Sequence, residues 1–493
     1  MTGMMLLLFK VLSAQSSLGL VNGNFSGIAG GIINPSSMAN SKLSTEINIF
    51  SARGFVENNY LYFPSRSASF VKLVNGAYDY ELFPKPYGSG YRYVYSYYYD
   101  KSLKNAFVNT RVIGPSVMLT IYDHVIALRT GARAISSTRN LPYDMANFAY
   151  YTMDFRPQHH TYFVRDDYTM SSMAWYEVMA SYAKVLHRGQ GNLWSAGISA
   201  GPLFGYGGAY VTGGDTRYLA YNSDVLNVEQ LDAEIGFSLP VDYSNNETNY
   251  FKPSVRGYGW GMDIGITWQY RDKAYQRRIP RDCYKKTFEE YDFRLGISLI
   301  DIGWVGFTKN AQKHAFENVH NNWIEVNEFI YTNIHDGIKT ASEWLYGDST
   351  ASFRDDRMRI YLPTVLSAQF DYHVRNAWYI NTTAIVPVKY VSPMVEHPFV
   401  LSVTPRYESR WLEVNIPVVL YDYKYPRIGL SVRIDGFTIG TDNLQCLTSV
   451  RDFTGADIYV SYRIMLRNEG KNPFLSRGAC YNTWRTDLKK LHR

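Results

Sequence analysis

The side chains of this sequence that could do chemistry are ionisable residues placed within alternating apolar runs. Charges of both signs are very costly against lipid but are tolerated in a solvated or self-paired interior, so the pattern predicts inward-facing residues of a closed barrel. They could form ion pairs that fill the interior, or they could line a selective pore. The mixed signs favour ion pairs, because a strongly selective pore concentrates one sign. The candidates are Arg129, Arg133, Glu177, Asp263, Asp292, Arg294, Asp371, Arg406, Glu408, Glu413, Arg427, Arg433, Asp435 and Arg463.

Recognisable catalytic motifs are missing from the sequence. It contains no GxSxG elbow, no HExxH pair, no P-loop and no CxxC pair. The glycines at 257, 259 and 261 do not match a nucleotide-binding fingerprint. His159 and His160 are adjacent, so on a strand they would point to opposite faces and chelate a metal ion poorly. We therefore predict that the chain is not an enzyme, and we assign it no catalytic residue, metal or cofactor.

The elements that must position the charged residues are β-strands. From about residue 43 onward, apolar and polar residues alternate with a period of two in runs of 9–16 residues. In the clearest run, from Val255 to Tyr270, one face is small or polar and the other is apolar, with aromatic residues toward both ends. That arrangement is typical of a lipid-facing wall with interfacial aromatic girdles. The apolar face consists of Tyr258, Trp260, Met262, Ile264, Ile266, Trp268 and Tyr270.

Similar runs recur along the chain and predict about 14 strands, within a range of 12–16. An open sheet edge cannot exist in lipid, so the strands must close into a barrel. We therefore predict an all-β fold, a transmembrane antiparallel β-barrel with an apolar outer wall and a polar interior. The composition agrees with this class. Aromatic residues make up 16% of the chain and charged residues only 19%, and no apolar run of about 20 residues offers a spanning helix.

The barrel is predicted to be preceded by two short segments. Residues 1–15 resemble a secretory signal, although Lys10 interrupts the apolar run. Residues 16–42 carry several glycines and no alternation, and we interpret them as a plug that folds back into the barrel. Asn34 suits the N-cap of a short helix and Pro35 suits its first turn, so Asn34, Pro35 and Ser36 are the plug candidates. The barrel is assigned to residues 43–465 and a basic tail to 466–493.

The longer polar stretches are predicted to be extracellular loops, because such loops are the long ones in outer-membrane barrels. Within 311–347, the spacing of apolar residues from Phe329 through Ile334 and Ile338 to Leu345 predicts one amphipathic helix. The stretches assigned to loops are 136–172, 210–232, 241–254 and 271–289.

Several motifs carry a resemblance to known barrels. The stretch from Gly27 to Ser37, with its Asn-Pro-Ser element, resembles the opening of FadL-like and PorV-like barrels, in which Ala usually stands where this chain has Ser36. Two further stretches resemble strand entries that recur in such barrels. They are Leu362-Pro363-Thr364 before Gln369-Phe370-Asp371-Tyr372, and Tyr425–Leu430 followed by Gly436–Leu444. Together they resemble the Bacteroidota outer-membrane family called domain of unknown function 5723, over residues 18–463. The resemblance implies a single outer-membrane barrel and no known catalytic residues.

Three functions remain open at this point. The first is passage of a small or hydrophobic molecule through a plugged lumen, by analogy with FadL-like barrels. The second is a non-transporting barrel that scaffolds a surface or secretion complex. The third, a barrel enzyme, is disfavoured because no nucleophile–base arrangement is recognisable. The expected partners are outer-membrane lipid and possible surface or secretion-complex proteins, without nucleic acid, and the expected location is integral to a bacterial outer membrane.

Overall fold

Fourteen antiparallel strands, each paired with the next, form the body of the protein. The structure is a computed structural model, which describes residues 17–64, 96–189, 191–243, 254–271, 291–324, 326, 333–422, 424, 426–448 and 452–467. The last strand pairs with the first, with Ile464 opposite Ile47, so the sheet is closed. The predicted closed barrel of about 14 strands is confirmed.

The strands are numbered here in chain order. They are β1 (Leu43–Asn58), β2 (Lys104–Ile113 and Ser116–Ile121), β3 (His124–Leu141), β4 (Tyr168–Gly189), β5 (Asn192–Ala220), β6 (Gly257–Tyr270), β7 (Phe293–Phe307), β8 (Met358–Tyr361 and Val365–Arg375), β9 (Trp378–Pro387), β10 (Val400–Glu408), β11 (Leu412–Asn415 and Val418–Tyr421), β12 (Arg427–Ile428 and Leu430–Ile434), β13 (Phe437–Thr441) and β14 (Gly455–Arg467).

In the structure, the alternating apolar and polar residues of each strand lie on the outer and the inner face of the barrel wall. On β6, Tyr258, Ile264 and Ile266 are exposed on the outside, whereas Asp263 and Thr267 are buried inside. Large apolar side chains are exposed in the same way around the whole wall, which suits contact with hydrocarbon.

Two β-bulges shift this alternation. On β1 the ladder with β14 slips between Asn48 and Phe50, so the inward positions change from even numbers to odd. On β7 the ladder with β6 slips opposite Asp263, where Asp301 adopts a positive φ of 57°. A bulge turns a side chain away from the face that simple alternation predicts. Asp301 consequently points inward.

The two ends of the barrel differ. At one end, here called the turn end, two-residue turns join β2 to β3, β8 to β9 and β12 to β13, and their first residues, Tyr122, Asn376 and Asp435, have positive φ. At the other end, the loop end, the connections are long, and strands extend beyond the barrel. The additional strands are Leu61–Tyr62, Ser96–Tyr97, Thr161–Arg165, Val225–Ser238, Ala311–Phe316, Asn321–Ile324 and Phe353–Asp355.

The loop predictions are right only in part. Residues 210–232 were predicted to be a loop, but most of them are strand, because β5 continues to Ala220 and pairs with Val225–Ser238. The stretch 136–172 contains the end of β3 and an unpredicted helix, Tyr143–Tyr151. Most of the predicted loops 241–254 and 271–289 lies outside the described residues. The prediction that 271–289 lies with the other long loops is wrong, because Tyr270, opposite Asn192 and Phe293, ends β6 at the turn end.

The helix predicted within 311–347 is present as Ile334–Tyr346, and the side chain of Asn333 caps its first turn by accepting the amide of Asp336. The other described helices are short: Leu18–Val21, Gly27–Gly30 and Gln445–Thr448, with 3₁₀ turns at Pro35–Asn40, Thr152–Asp154 and Arg156–Gln158. Within the described ranges, no helix is both long and apolar enough to cross a membrane.

The sequence analysis predicted a polar interior. In the structure, part of the interior is apolar. Toward the loop end, inward-facing Trp175, Leu203, Phe307 and Ile360 belong to one buried apolar cluster. A second cluster, which includes Phe55, lies against β9–β11. Toward the turn end, small polar side chains such as Ser195 and Thr267 line one side of the inner wall, and charged side chains such as Glu408 and Arg463 line the other. A further set of charged residues lies between the apolar region and the turn end.

Candidate functional site

The N-terminal segment, residues 17–42, lies inside the barrel. Its polar contacts reach several sides of the wall. The amide of Leu18 donates to Asp442 after β13 (3.1 Å), that of Ile28 to Glu46 on β1 (2.8 Å) and that of Asn24 to Glu408 on β10 (3.0 Å). On the side of β5, the Asn40 side chain donates to Ser195 (2.8 Å). A segment that contacts opposite walls in this way occupies the lumen. The signal-like residues 1–15 and nearly all of the basic tail lie outside the described residues.

Asn34, Pro35 and Ser36 form the contact of this segment with β6 and β8. Asn34 caps the 3₁₀ turn that begins at Pro35, because its side-chain oxygen Oδ1 accepts the Ser36 amide at 3.0 Å. Its amide nitrogen donates to Gln369 on β8 (3.0 Å), and the Ser36 hydroxyl lies 2.7 Å from that of Thr267 on β6. These residues fasten the segment to the wall. Their role as a plug stays a prediction.

Glycines on the wall allow this close approach. A Cβ on Gly197 of β5 would lie 2.5 Å from the backbone of Pro35 and Ser36, and a Cβ on Gly265 of β6 would collide with Asn34. Backbone atoms at that distance cannot give way as a flexible side chain can. The wall is therefore shaped to the segment.

A small polar cavity of about 30 Å³ remains between the segment and β6–β9. Among the residues around it, the side-chain Nδ2 of Asn22, the hydroxyl of Ser37 and the side-chain Oδ1 of Asn40 are buried without a hydrogen-bond partner among the described residues. A cavity of this size holds a water molecule when its lining is polar. The interface between segment and wall thus has room for water.

A first group of charges surrounds the segment. Arg406 lies between Asp371 (2.9 Å) and Glu408 (3.1 Å), and all three side chains are buried. Lys42 of the segment binds Glu408 at 2.8 Å, and Arg406 also donates to the carbonyl of Asn22. Asp371 further accepts from Tyr291 and from Arg294, which is half-buried.

Two more pairs continue this group around the lumen. Arg433 binds Glu413 at 2.9 Å, and Arg463 binds Glu46 at 3.3 Å. Arg463 also donates to the backbone carbonyl of Phe25 in the segment (3.1 Å). The ion pairs therefore hold the segment as well as one another.

A second group of charges lies between β1–β4 and β6–β7. Arg133 makes two bonds to the Asp301 carboxylate, at 2.6 and 3.0 Å. Arg129 lies 3.6 Å from Glu177 and 4.0 Å from Asp263, whose carboxylate accepts the Asp301 amide at 2.8 Å.

Two arginines of this second group have no counterpart among the predicted residues. Arg111 lies 3.9 Å from Glu177 and 3.8 Å from Asp301. Arg53, 8% exposed, also belongs to this group. Because of the bulges on β1 and β7, simple alternation along the sequence does not predict that Arg53 and Asp301 face inward. For Arg111, two residues before the end of the first part of β2, the alternation with Asn109 and Ile113 could have predicted the inward face.

At the loop end, a connection between β9 and β10 reaches across the mouth. This cross-mouth loop, residues 388–399, is joined to the far side of the barrel by Arg139 of β3, which donates to the carbonyl of His397 (3.1 Å) and lies 3.4 Å from Glu396. The Glu396 amide donates to Ser137 on the same strand (2.9 Å). Burial lowers the pKa of His397 to about 4, so its ring is neutral near pH 7.

The predicted charges divide into those that face the lumen and those that do not. Ten are buried on inward positions, and Arg294 and Arg427 are partly buried, the latter paired with Glu57 at 2.8 Å. Asp435 is exposed in the turn between β12 and β13, since the strand ends one residue earlier than its alternation suggested. Asp292 is half-buried and precedes β7 rather than lying within it. The ten are Arg129, Arg133, Glu177, Asp263, Asp371, Arg406, Glu408, Glu413, Arg433 and Arg463.

The chemistry of the lumen is that of paired charges and hydrogen bonds. Most charges lie within 4 Å of an opposite charge, an arrangement that holds side chains in place and leaves few of them free to attract a solute. Across the ranges that the structure describes, no three His, Cys, Asp or Glu side chains are grouped so that they could hold a metal ion.

Residues 54–442 match the family described as "Family of unknown function (DUF5723)". No curated protein sequence matches the chain. Among solved structures, a TodX monoaromatic hydrocarbon channel mutant is similar at 10% identity, with a TM-score of 0.41 over 93% of this chain and 99% of that one. The toluene transporter TbuX of Ralstonia pickettii is similar at 8% identity, with a TM-score of 0.37 over 90% and 95%. A FadL homologue of Pseudomonas aeruginosa is similar at 8% identity, with a TM-score of 0.23 over 92% and 98%.

Proposed function

The chain belongs to the DUF5723 family, and we propose from its own geometry that it is an outer-membrane barrel whose N-terminal segment is a plug. In this proposal, residues 17–42 close the lumen of the barrel formed by residues 43–465. A small molecule passes when the plug is displaced. The orientation follows from the long loops, which face outward in such barrels.

The observation that carries this proposal is the wall behind the segment. On the side of β5–β7 and β9, the inward-facing residues against the segment are small and polar: Ser195, Thr267, Ser298 and Thr383 are each at most 2% exposed. The first group of charges faces the segment from the other side. Water can replace the bonds that such residues make to the segment, whereas an apolar wall would pay a large hydration penalty on opening. A polar wall behind a non-covalently held segment is therefore suited to become a water-filled path.

A second candidate function is a non-transporting scaffold. It is supported by the apolar side chains that fill the loop-end half of the lumen and by the loop that spans the mouth. A passage would require these to move as well as the plug. The outer-membrane location, the surface or secretion-complex partners and the passage of a hydrophobic molecule remain parts of the proposal.

A reversible lock on the segment tests the two functions. In a chain whose three cysteines are replaced by Ser, Ser36→Cys with Thr267→Cys places two thiols where hydroxyls lie 2.7 Å apart. The matched control is Ser181→Cys with Ser199→Cys, a 2.8 Å pair that joins two wall strands. Conductance is measured in planar bilayers under oxidising and reducing conditions.

If the segment is a gate, oxidation silences the first variant, reductant restores its openings, and the control is unaffected. Deletion of residues 18–40 should then raise conductance in a barrel that still folds. A folded deletion variant that stays non-conducting would defeat the transport proposal and favour the scaffold.

A further inference from the structure

The arginines of the second charge group are arranged as neighbours in the sheet. In the ladder between β1 and β2, Arg53 is directly opposite Arg111, and in the next ladder Arg111 is directly opposite Arg133. Like charges in directly opposite positions destabilise a sheet. Such a row persists only if negative charge lies close to it.

The carboxylates nearby account for three of the four arginines. Asp301 binds Arg133, and Glu177 lies within ion-pair distance of both Arg111 and Arg129. Asp263 is the third carboxylate, at 4.0 Å from Arg129. Among the described residues, the carboxylates within ion-pair distance of these arginines are Asp263, Asp301 and Glu177, so the four arginines exceed them by one positive charge.

The excess charge falls on Arg53. Within the described part of the chain, its guanidinium has neither a hydrogen-bond partner nor an ion-pair partner, although only 8% of the residue is exposed. Asp442, a carboxylate of the neighbouring loop, accepts from the Leu18 amide and the Tyr459 hydroxyl and does not lie within the 4 Å ion-pair distance of the Arg53 guanidinium. A buried charge without a partner is strongly destabilising.

Unused donors point to the same place. The Nε atoms of Arg53, Arg111 and Arg129 are buried and lack an acceptor, as does that of Arg133. Glu177 Oε1, the one buried carboxylate oxygen of this group without a donor, is 3.9 Å from Arg111 Nε, beyond hydrogen-bond distance. Guanidinium donors without acceptors, next to one unbalanced charge, provide what a bound anion requires.

We propose that Arg53, together with Arg111 and Arg129, binds one small monovalent anion of halide type inside the barrel. One negative charge balances the group, and the enclosure of all three side chains favours an ion without large substituents. The ion would hold the arginine row together as a structural counter-charge. This site is independent of whether the N-terminal segment acts as a gate.

The test compares bromide with gluconate, which is too large for an enclosed site, at constant ionic strength. Thermal unfolding of the full chain is followed in neutral detergent. The wild-type midpoint should rise with bromide and saturate, because a ligand that binds only the folded state stabilises it. Arg53→Gln should lose this dependence and, in gluconate, should be at least as stable as the wild type.

The matched control is Arg427→Gln, which removes a guanidinium that is already paired with Glu57. It should be less stable than the wild type in both salts and should keep the bromide dependence. An equal bromide effect in wild type and Arg53→Gln would overturn the proposal, and so would the absence of any bromide effect.

A second measurement does not depend on the folding of a variant. Crystals of the wild-type protein soaked in bromide should give an anomalous peak within hydrogen-bonding reach of the Arg53 guanidinium. Water alone at that position would overturn the assignment. Equal stabilisation by sulfate through Arg53 would overturn the restriction to a monovalent ion.

Discussion

The guanidinium of Arg139 on β3 donates a 2.9 Å hydrogen bond to the carboxylate of Asp422, which follows β11 on the far wall of the barrel. By the shorter way around the closed sheet, six steps separate these strands (β3 to β1, then β14 to β11). The same carboxylate accepts the amide of Phe399 at 3.0 Å. One arginine thus joins two walls and the cross-mouth loop.

We expect Arg139→Gln to open this loop. The pair is partly buried, and a hydrogen bond to a charged group contributes about 1.5–3 kcal/mol, so the open population should rise by about tenfold or more. The reporter is Val395→Cys in a chain whose native cysteines are replaced by Ser, because Val395 is fully buried in the loop. Its reaction rate with an impermeant maleimide should rise by that factor.

The control for this experiment is Arg217→Gln, which breaks an exposed pair with Asp215 outside the barrel. Exposed pairs contribute about 0–1 kcal/mol, so its labelling rate should stay close to that of the parent. Equal rates in the Arg139 and Arg217 variants would contradict the joining role of Arg139.

Acidification should loosen the same loop. Burial lowers the pKa of His397 to about 4 from its ordinary value of 6.5. The hydrogen bond with the Pro398 carbonyl and the charge of Asp301 oppose this shift, and Arg133 and Arg139 add to it. The open loop therefore binds a proton more readily than the closed one. The closed state is fully favoured above pH 6.5 and loses stability as the pH falls toward 4.

Labelling of Val395→Cys should accordingly accelerate between pH 6.5 and 4, after correction for the pH dependence of maleimide chemistry on a free thiol. His397→Gln should flatten this profile. A slope that survives the substitution would assign the effect to other groups.

Gly197→Ala should displace the N-terminal segment without cutting the chain. The added Cβ would lie 2.5 Å from the backbone of Pro35 and Ser36, so the segment must move. Bilayer conductance should rise while the barrel keeps its heat-modifiable migration on a gel. Gly261→Ala is the control, because its nearest neighbours are leucine side-chain ends at 3.4–3.6 Å. The prediction fails if both variants behave alike.

A charged residue on the outer face should destabilise the protein only where that face contacts lipid. Ile264→Arg, on the exposed face of β6, should destabilise the folded barrel by roughly 2–4 kcal/mol near the bilayer midplane. Ile324→Arg makes the same change on an exposed strand beyond the barrel and should have little effect. A refolding titration in lipid vesicles measures both, and equal losses would refute the assignment of the lipid-facing belt.

The sequence supports the closed barrel and most of its inward charges because alternation is repeated over many strands. On β6 a single unbroken run defines both faces, and Asp263 is buried as its position predicts. Alternation fails where one residue is inserted into a strand. The inward positions of Arg53 and Asp301 depend on bulges, and a bulge is defined by pairing with another strand rather than by local sequence.

The apolar half of the lumen escaped prediction for a related reason. Trp175 and Met173 alternate with residues that also have apolar character, such as Ala174 and Tyr176, so the pattern gives no clear inner face there. The cross-mouth loop depends on contacts between residues more than 250 positions apart, such as Ser137 and Glu396. No local pattern records such a contact.

The bond between the amide of Leu18 and the carboxylate of Asp442 joins residues 424 positions apart, and the bond from Arg463 to Phe25 spans 438. Neither can form until almost the whole chain has been synthesised and its final strand has closed the sheet. The contact between Ile28 and Glu46, only 18 positions apart, has no such requirement. The attachment of the segment is therefore complete only in a closed barrel. If the segment is a plug, a cell that accumulates barrels with an undocked segment should become abnormally permeable before any loss of the mature protein is detectable.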